Sequence, residues 1–415
     1  MDTSTINKIQ LWLIEQGLLG RAETQLLAGF CERCREHGVD IVQAALFVDT
    51  LHPVLESWGF FWDAENDEAE SQRQYSRYDA EEHAEKWRGS PFHHMLQAGI
   101  RELHLPLHAQ LSADFAILAE LRDQGHSDYL AMIHPLSESD TIGEMDNLYS
   151  RWSTSRPGGF SASDLAALRS LVPGLALAIK TAALRRIAQS LVSVYLGHDP
   201  GRRVLEGRIA RGTVKSINTV LWYSDMANYT ALSEQVDSGE LIALLNDYAE
   251  AAITSVYRNG GDVLKLIGDG TLAIFSAPSL SDAAAAALAA RRELAERLVE
   301  LNASRAAAGH AVTTIYLSLH VGEVFYGNIG SDERLDFTVI GPAVNEVCRI
   351  ASACTGLGQS LLVSSDFLAL LPEPERARFH SVGVHALKGV REPKELHAES
   401  PAVARTTSGS TPAEL

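Results

Sequence analysis

Apolar positions recur every three or four residues from about Thr5 to His37, interrupted by Asn, Lys, Gln and Glu, which predicts an opening amphipathic helix. The pattern then becomes mixed. VDIVQAALFV fits either a helix or a strand, whereas LESWGFFWDA, IRELHLPL and SDYLAMIHPL alternate as strands do. FSASDLAALRSLVPGLALAIKTAALRRIAQSLVSVY predicts one long helix, with Ser161 or Ser163 as its cap. These elements predict an N-terminal helix over residues 1–37 and an α+β domain over 38–186 that ends in an outgoing helix. LGHDPGRRVLEGRIARGT, rich in Gly and Arg, reads as a connector, and a helical linker is placed at 187–213.

From Ile217 the alternation sharpens and predicts a second α+β domain over 214–398. A strand runs to Asp225, and ALSEQVDSGELIALLNDYAEAAITSVYRNGG predicts a helix stopped by Gly260 and Gly261. DVLKLI and TLAIF flank Gly268-Asp269-Gly270, the signature of a tight hairpin. An alanine-rich helix follows, then TIYLSLHVG and EVFYGNIG as a second hairpin and FTVIG as a strand. PAVNEVCRIASAC predicts a helix with Pro342 in its first turn. The tail over 399–415 has the composition of a disordered segment.

Composition changes this picture little. The 415 residues, 46% hydrophobic and 21% charged, suffice for two domains with separate cores. A net charge of -18 argues against a general grip on nucleic acid or anionic lipid, so any phosphate site must be local. The N-terminus lacks the basic start of a signal peptide, and no run of about eighteen apolar residues stands out; LVPGLALAIKTAAL holds Pro173 and Lys180. A cytoplasmic protein without membrane partners is expected. Four cysteines are too few for a disulfide framework, and Cys31 and Cys34 read as two thiols one turn apart on a helix. His93, His94, His104, His108 and His134 read as scattered histidines rather than a metal or haem site, since Pro106 breaks any helical pairing of His104 with His108.

Asp225 and Asp269 each end a run suited to burial in a sheet, where a lone carboxylate is costly. Either alone is an ordinary helix-start or turn aspartate. If the strand ending at Asp225 lies beside the hairpin that turns at Asp269, the two carboxylates meet and repel unless a cation sits between them. Oxygen ligands point to magnesium or manganese shared with substrate phosphates. The stretch MANYTALSE after Asp225 starts a helix whose free N–H groups would face a triphosphate.

The motifs YSDMANYT, GGDVLKLIGDG and FTVIGPAVNEVCRIA, in that order and spacing, resemble the catalytic domain of class III nucleotidyl cyclases. The resemblance implies a ferredoxin-like domain, an antiparallel sheet with flanking helices. It implies that Asp225 and Asp269 hold two Mg2+ or Mn2+ ions per active site. Lys265 would contact the adenine ring with Thr338 as partner; Thr at that position marks a subclass with members that respond to bicarbonate, and a guanylyl cyclase would show Glu in place of Lys265. Asn345 and Arg349, four apart on one helix face, would orient the ribose and stabilise charge on the phosphates. Asn228, Tyr229 and Thr230 stand in the phosphate loop, with Asn228 and Tyr229 departing from the usual Gly and Phe. Glu323 stands where some relatives have a phosphate-binding Arg.

The expected reaction is that of an adenylate cyclase, ATP to cyclic AMP and pyrophosphate, in a homodimer whose shared sites draw the aspartates from one subunit and Asn345 and Arg349 from the other. The alternatives are a guanylate cyclase and a catalytically silent nucleotide-binding or scaffold protein. GGDVL also resembles half of the GGDEF motif of diguanylate cyclases, but Val263 replaces the acidic residue those enzymes need. Residues 38–186 resemble a GAF-like sensor, and 187–213 resemble the transducer element that often precedes class III catalytic domains. The sensor's ligand or protein input is not legible in the sequence.

Overall fold

The computed structural model describes residues 1–66, 71–78, 80–107, 115–137 and 145–400. His108 and residues 401–415 of the expected tail lie outside them. The chain divides into two units, Met1–Leu191 and Val192–Leu415.

The first unit comprises α1 (Thr3–Leu18), α2 (Glu23–Glu36), β1 (Gln43–Asp49), β2 (Leu55–Asp63), β3 (Gln72–Ser76), α3 (Ala80–Arg88), α4 (Pro91–Ala98), β4 (Glu102–Pro106), α5 (Ala116–Asp123), β5 (Asp128–Pro135), β6 (Asn147–Thr154) and α6 (Ala162–Leu196), the last running past the division. The single opening helix expected from the periodicity is two helices. Gly20, with φ at 64°, takes the left-handed turn that separates them. The ambiguous VDIVQAALFV settles as strand because Ala44, Leu46 and Val48 point into one core while Ala45 and Phe47 point to the opposite face.

The six strands form an antiparallel sheet in the order β3-β2-β1-β6-β5-β4. Apolar residues of α1, α2 and α6, among them Leu13, Phe30, Leu171 and Ile179, pack with Leu46, Leu130 and Trp152 on one face. Phe92 and Met95 of α4 and Leu118 and Leu121 of α5 pack with Tyr129, Ile133 and Tyr149 on the other. Cys31 and Cys34 are free thiols sealed in the first of these cores, and burial pushes the Cys34 thiol up to about 12. Helix α6 passes through Pro173. By length and composition alone α6 could cross a membrane, contrary to the sequence expectation, but 56% of its apolar window is buried in the protein.

The second unit contains α7 (His198–Leu205), β7 (Val214–Met226), α8 (Tyr229–Gln235), α9 (Ser238–Arg258), β8 (Gly261–Ile267), β9 (Gly270–Phe275), α10 (Leu280–Ala307), β10 (Ile315–Gly330), β11 (Leu335–Ile340), α11 (Pro342–Leu357), β12 (Leu361–Ser364), α12 (Ser365–Leu368), α13 (Glu373–Arg376), β13 (Phe379–His385) and β14 (Lys394–Glu399). Its eight-stranded sheet runs β13-β14-β12-β10-β7-β9-β8, with β11 paired to β10. Helices α9 and α10 bury Leu244, Val256, Leu288 and Leu294 against Trp222, Phe275 and Leu319. Helix α11 covers part of the opposite face with Ala343 and Val347, beside Leu221, Ile274 and Val324.

Two local expectations are corrected. The helix predicted from Ala231 is two helices, because Asp237 leaves the helical path and its Oδ1 accepts the Gly239 and Glu240 amides as the cap of α9. The hairpin predicted between TIYLSLHVG and EVFYGNIG is one continuous strand, β10. Its Gly322 is required by close packing rather than by a turn, since a Cβ there would stand 2.5 Å from that of Ala343 on α11. The connector contains helix α7, anchored in the second unit: the Tyr326 hydroxyl donates to Asp199 Oδ2 at 2.8 Å, and His198 stacks on Tyr257 with ring centroids 4.2 Å apart.

Candidate active site

Strand β7 pairs with β10 on one side and β9 on the other, so it lies inside the sheet and carries Asp225 to the sheet's end. Ser224 of β7 stands opposite Thr271 of β9. Asp269, two residues before Thr271 in the β8–β9 turn, therefore lands beside Asp225. The turn forms because Gly268 adopts φ at 63°, where a side chain is unfavourable. Gly270 is equally constrained, since a Cβ there would fall 2.4 Å from the Tyr223 hydroxyl.

The two carboxylates are in mutual contact. Asp269 Oδ2 accepts the Met226 amide at 3.2 Å. Asp225 Oδ1 is buried and has no hydrogen-bond partner. Burial first, then a hydrogen bond with Asp269 and the charge of Asp269, pushes the Asp225 carboxyl up to about 7. Two acids side by side at the end of a buried strand form a site that a cation would satisfy. Tyr223 adds to this acidic pocket, its hydroxyl raised chiefly by burial and further by Asp225.

After Asp225 the chain turns at Asn228, whose φ of 57° makes it the only non-glycine in the left-handed region among the described residues. Asparagine tolerates that conformation better than most residues. Tyr229 and Thr230 open α8, a helix of only 7 residues. Tyr229 packs against the α9–α10 core, and Thr230 is exposed.

Lys265 of β8 is paired with Asp336 of β11, not with Thr338. Asp336 and Thr338 are two apart on one strand and share a face, so both border the lysine's side of the sheet. Asp336 escaped the sequence reading, although the alternation in LDFTVI was enough to place it beside Thr338. Asn345 and Arg349 are exposed one turn apart on α11, and no hydrogen bond or ion pair joins either to Asp225 or Asp269 within the chain. Arg349 is nevertheless close enough to affect the thiol of its neighbour Cys348, which also feels Asp225. Glu323 faces Ser216, which donates to its carboxylate across the β7–β10 pairing.

A second group missed by sequence reasoning fixes α11. His320 of β10, 2% exposed, reaches Glu346 Oε2 with Nε2 at 3.1 Å and Ser364 Oγ with Nδ1 at 2.8 Å. Lys394 of β14 meets the same Glu346 oxygen at 3.1 Å. Glu346 directly follows Asn345, so this buried contact sets the rotation of the helix that presents Asn345 and Arg349. Burial lowers the His320 imidazole, and Glu346 opposes that shift.

The sheet, antiparallel except for the parallel β10–β12 pair and so not the wholly antiparallel sheet expected, ends in two juxtaposed aspartates, with a lysine on the adjoining hairpin and an Asn/Arg pair on α11. Residues 214–398 match the family described as adenylate and guanylate cyclase catalytic domain, and this part of the chain has the class III cyclase catalytic fold. It is 32% identical to the uncharacterized protein MT1361 of Mycobacterium tuberculosis (strain CDC 1551 / Oshkosh), over 42% of this chain and 30% of that protein. Among solved structures it is similar to the guanylyl cyclase Cya2, with 31% identity, a TM-score of 0.40 and coverage of 45% of this chain and 93% of that one. It is also similar to the adenylyl cyclase CyaB from P. aeruginosa, with 25% identity, a TM-score of 0.41 and coverage of 47% and 99%. The chain spans about a third of the length of the curated relatives it matches.

Proposed function

We propose that the chain is an adenylate cyclase that converts ATP to 3′,5′-cyclic AMP and pyrophosphate as a homodimer. The observation that carries this reading is the contact between Asp225 and Asp269, with one buried Asp225 oxygen unpartnered and the Asp225 carboxyl pushed up to about 7. That donor set fits magnesium or manganese: two hard carboxylates supply part of a coordination shell that nucleotide phosphates and water complete. Cations held there would neutralise phosphate charge and favour ionisation of the ribose 3′-hydroxyl.

The chain's other residues have the following proposed tasks. Lys265, with Asp336 and Thr338 on the facing strand, reads the purine edge, and a lysine in place of the glutamate expected of guanylyl cyclases favours adenine. Arg349 supplies a permanently charged donor array for the phosphates, and Asn345 holds the ribose. Both are exposed and free of ties to the aspartates of their own chain, which supports completion of the site by a second copy. Thr230 and the backbone at Asn228 border the phosphates. Tyr229 contributes by packing, which places the loop without touching substrate. Unit one acts as a GAF-like sensor in a cytoplasmic protein, and the segment over 187–213 relays its state to the dimer.

Product analysis on the purified chain tests this reading. With manganese present, ATP is expected to yield cyclic AMP faster than GTP yields cyclic GMP. Preferential formation of cyclic GMP would reassign the base pocket, and no product from either nucleotide would reject the catalytic reading. Repeating the assay with bicarbonate shows whether the threonine at 338 accompanies activation.

A further inference from the structure

The chain leaving Asp225 is gripped from two sides. The Met226 amide donates to Asp269 Oδ2, and the next amide, that of Ala227, donates to the Thr314 carbonyl at 2.9 Å. Asn228 then turns through the left-handed region and opens α8 without a capping hydrogen bond from its own side chain. The path of residues 227–237 therefore depends on what holds Thr314 at one end and the first turn of α9 at the other.

One side chain holds both. Arg305, in the last turn of α10, is 7% exposed. Its Nε donates to the Ala311 carbonyl at 2.8 Å, its Nη2 to Glu240 Oε1 at 2.5 Å, and its Nη1 to Asp247. Glu240 lies in the first turn of α9, just after the Asp237 cap. The same Glu240 oxygen accepts the Ala311 amide at 2.8 Å, so guanidinium, carboxylate and the backbone of Ala311 close a ring. Asn302, one turn earlier on α10, adds a bond from Nδ2 to the Thr313 carbonyl at 2.5 Å. Segment 311–314 is thereby fixed, and it runs directly into β10, where Ile315 stands opposite Met226 and Tyr316 opposite Asp225. A junction of this kind suits arginine, whose planar group serves several acceptors in different directions and keeps its charge when buried.

We propose that Arg305 is the positioning residue of the phosphate loop: one buried guanidinium fixes both ends of residues 227–237, so that the loop's backbone meets the phosphates of the nucleotide. Arg305 touches neither substrate nor cation and acts through Thr314 and Glu240. A small displacement of a binding group costs affinity out of proportion to the distance moved, which gives a remote brace its leverage. The inference rests on the cyclase reading and deepens it by naming what holds the loop in place.

The test uses the full chain with manganese and inorganic triphosphate, a probe that carries the phosphates without base or ribose, read by calorimetric titration together with hydrogen exchange over residues 227–237. Arg305→Met is expected to weaken triphosphate binding roughly 10- to 100-fold, the scale of a misplaced binding group, and to speed exchange in that segment. Arg305→Lys, which keeps the charge and loses the fork, should fall between. Glu240→Gln should weaken binding several-fold, and it carries the test with the lysine variant should Arg305→Met fail to fold; circular dichroism shows which variants are folded. A brace that served stability alone would lower the thermal midpoint and leave the affinity of the folded chain untouched. Unchanged triphosphate affinity in the folded variants, or weakened affinity without faster exchange over 227–237, would overturn the proposal while leaving the catalytic reading standing. Failure of the original chain to bind manganese and triphosphate would overturn both.

Discussion

The two units treat buried carboxylates differently. In the second unit two carboxylates touch at a sheet end and one oxygen of Asp225 is orphaned. In the first, Asp128 is answered by His104 at 2.8 Å and the Phe160 amide at 2.9 Å. Elsewhere in the second unit Arg305 is tied to both Glu240 and Asp247. Buried atoms without partners also occur at His134, Arg186, Tyr248 and Asn302, so what sets the acidic pair apart is two like charges brought together at a sheet end.

The sharpest way to break that comparison is to remove the acids. Asp225→Ala or Asp269→Ala should lower turnover by at least about 100-fold, the upper end of what loss of an outer contact to a metal site costs, while the circular dichroism spectrum persists. Loss of turnover and spectrum together would show that the substitution had unfolded the chain instead of emptying the site. A smaller effect is expected from mixing. An inactive Asp225→Ala chain and an inactive Arg349→Ala chain, allowed to exchange subunits at random, should recover about a quarter of full activity, because half the dimers are mixed and each holds one working site. Absence of rescue in verified heterodimers would reject the shared site.

The mildest change concerns the support of α11. Glu346→Gln removes the charge that meets His320 and Lys394, and should cost about 1–3 kcal/mol of stability together with a few-fold drop in kcat. Thermal unfolding and steady-state kinetics measure the two. An unchanged kcat would mean that the Glu346 contact does not set the position of Asn345 and Arg349.

The acidic pair was legible in the sequence because it sits at punctuation: Asp225 at the end of an apolar run and Asp269 between two glycines. Lys265 was legible as a residue, but its contact was not. Asp336 outcompetes Thr338 for the ammonium because it carries the opposite charge on the same strand face. The TIYLSLHVG segment misled because a glycine between two strand patterns reads as a turn, whereas Gly322 makes room for Ala343 of a helix far along the chain. Glu346 shows the deeper limit. A glutamate on a helix looks like a solvent-facing residue, and only the packing of α11 reveals that it is answered.

The central claim, that Asp225 and Asp269 form a divalent cation site, is tested most directly by counting manganese ions bound to the full chain with a non-cyclisable ATP analogue, using electron paramagnetic resonance. The account predicts two ions per nucleotide site, with weakened binding and an altered spectrum in Asp225→Asn and Asp269→Asn. Manganese binding to the chain and nucleotide that is identical in the original protein and both variants would contradict it.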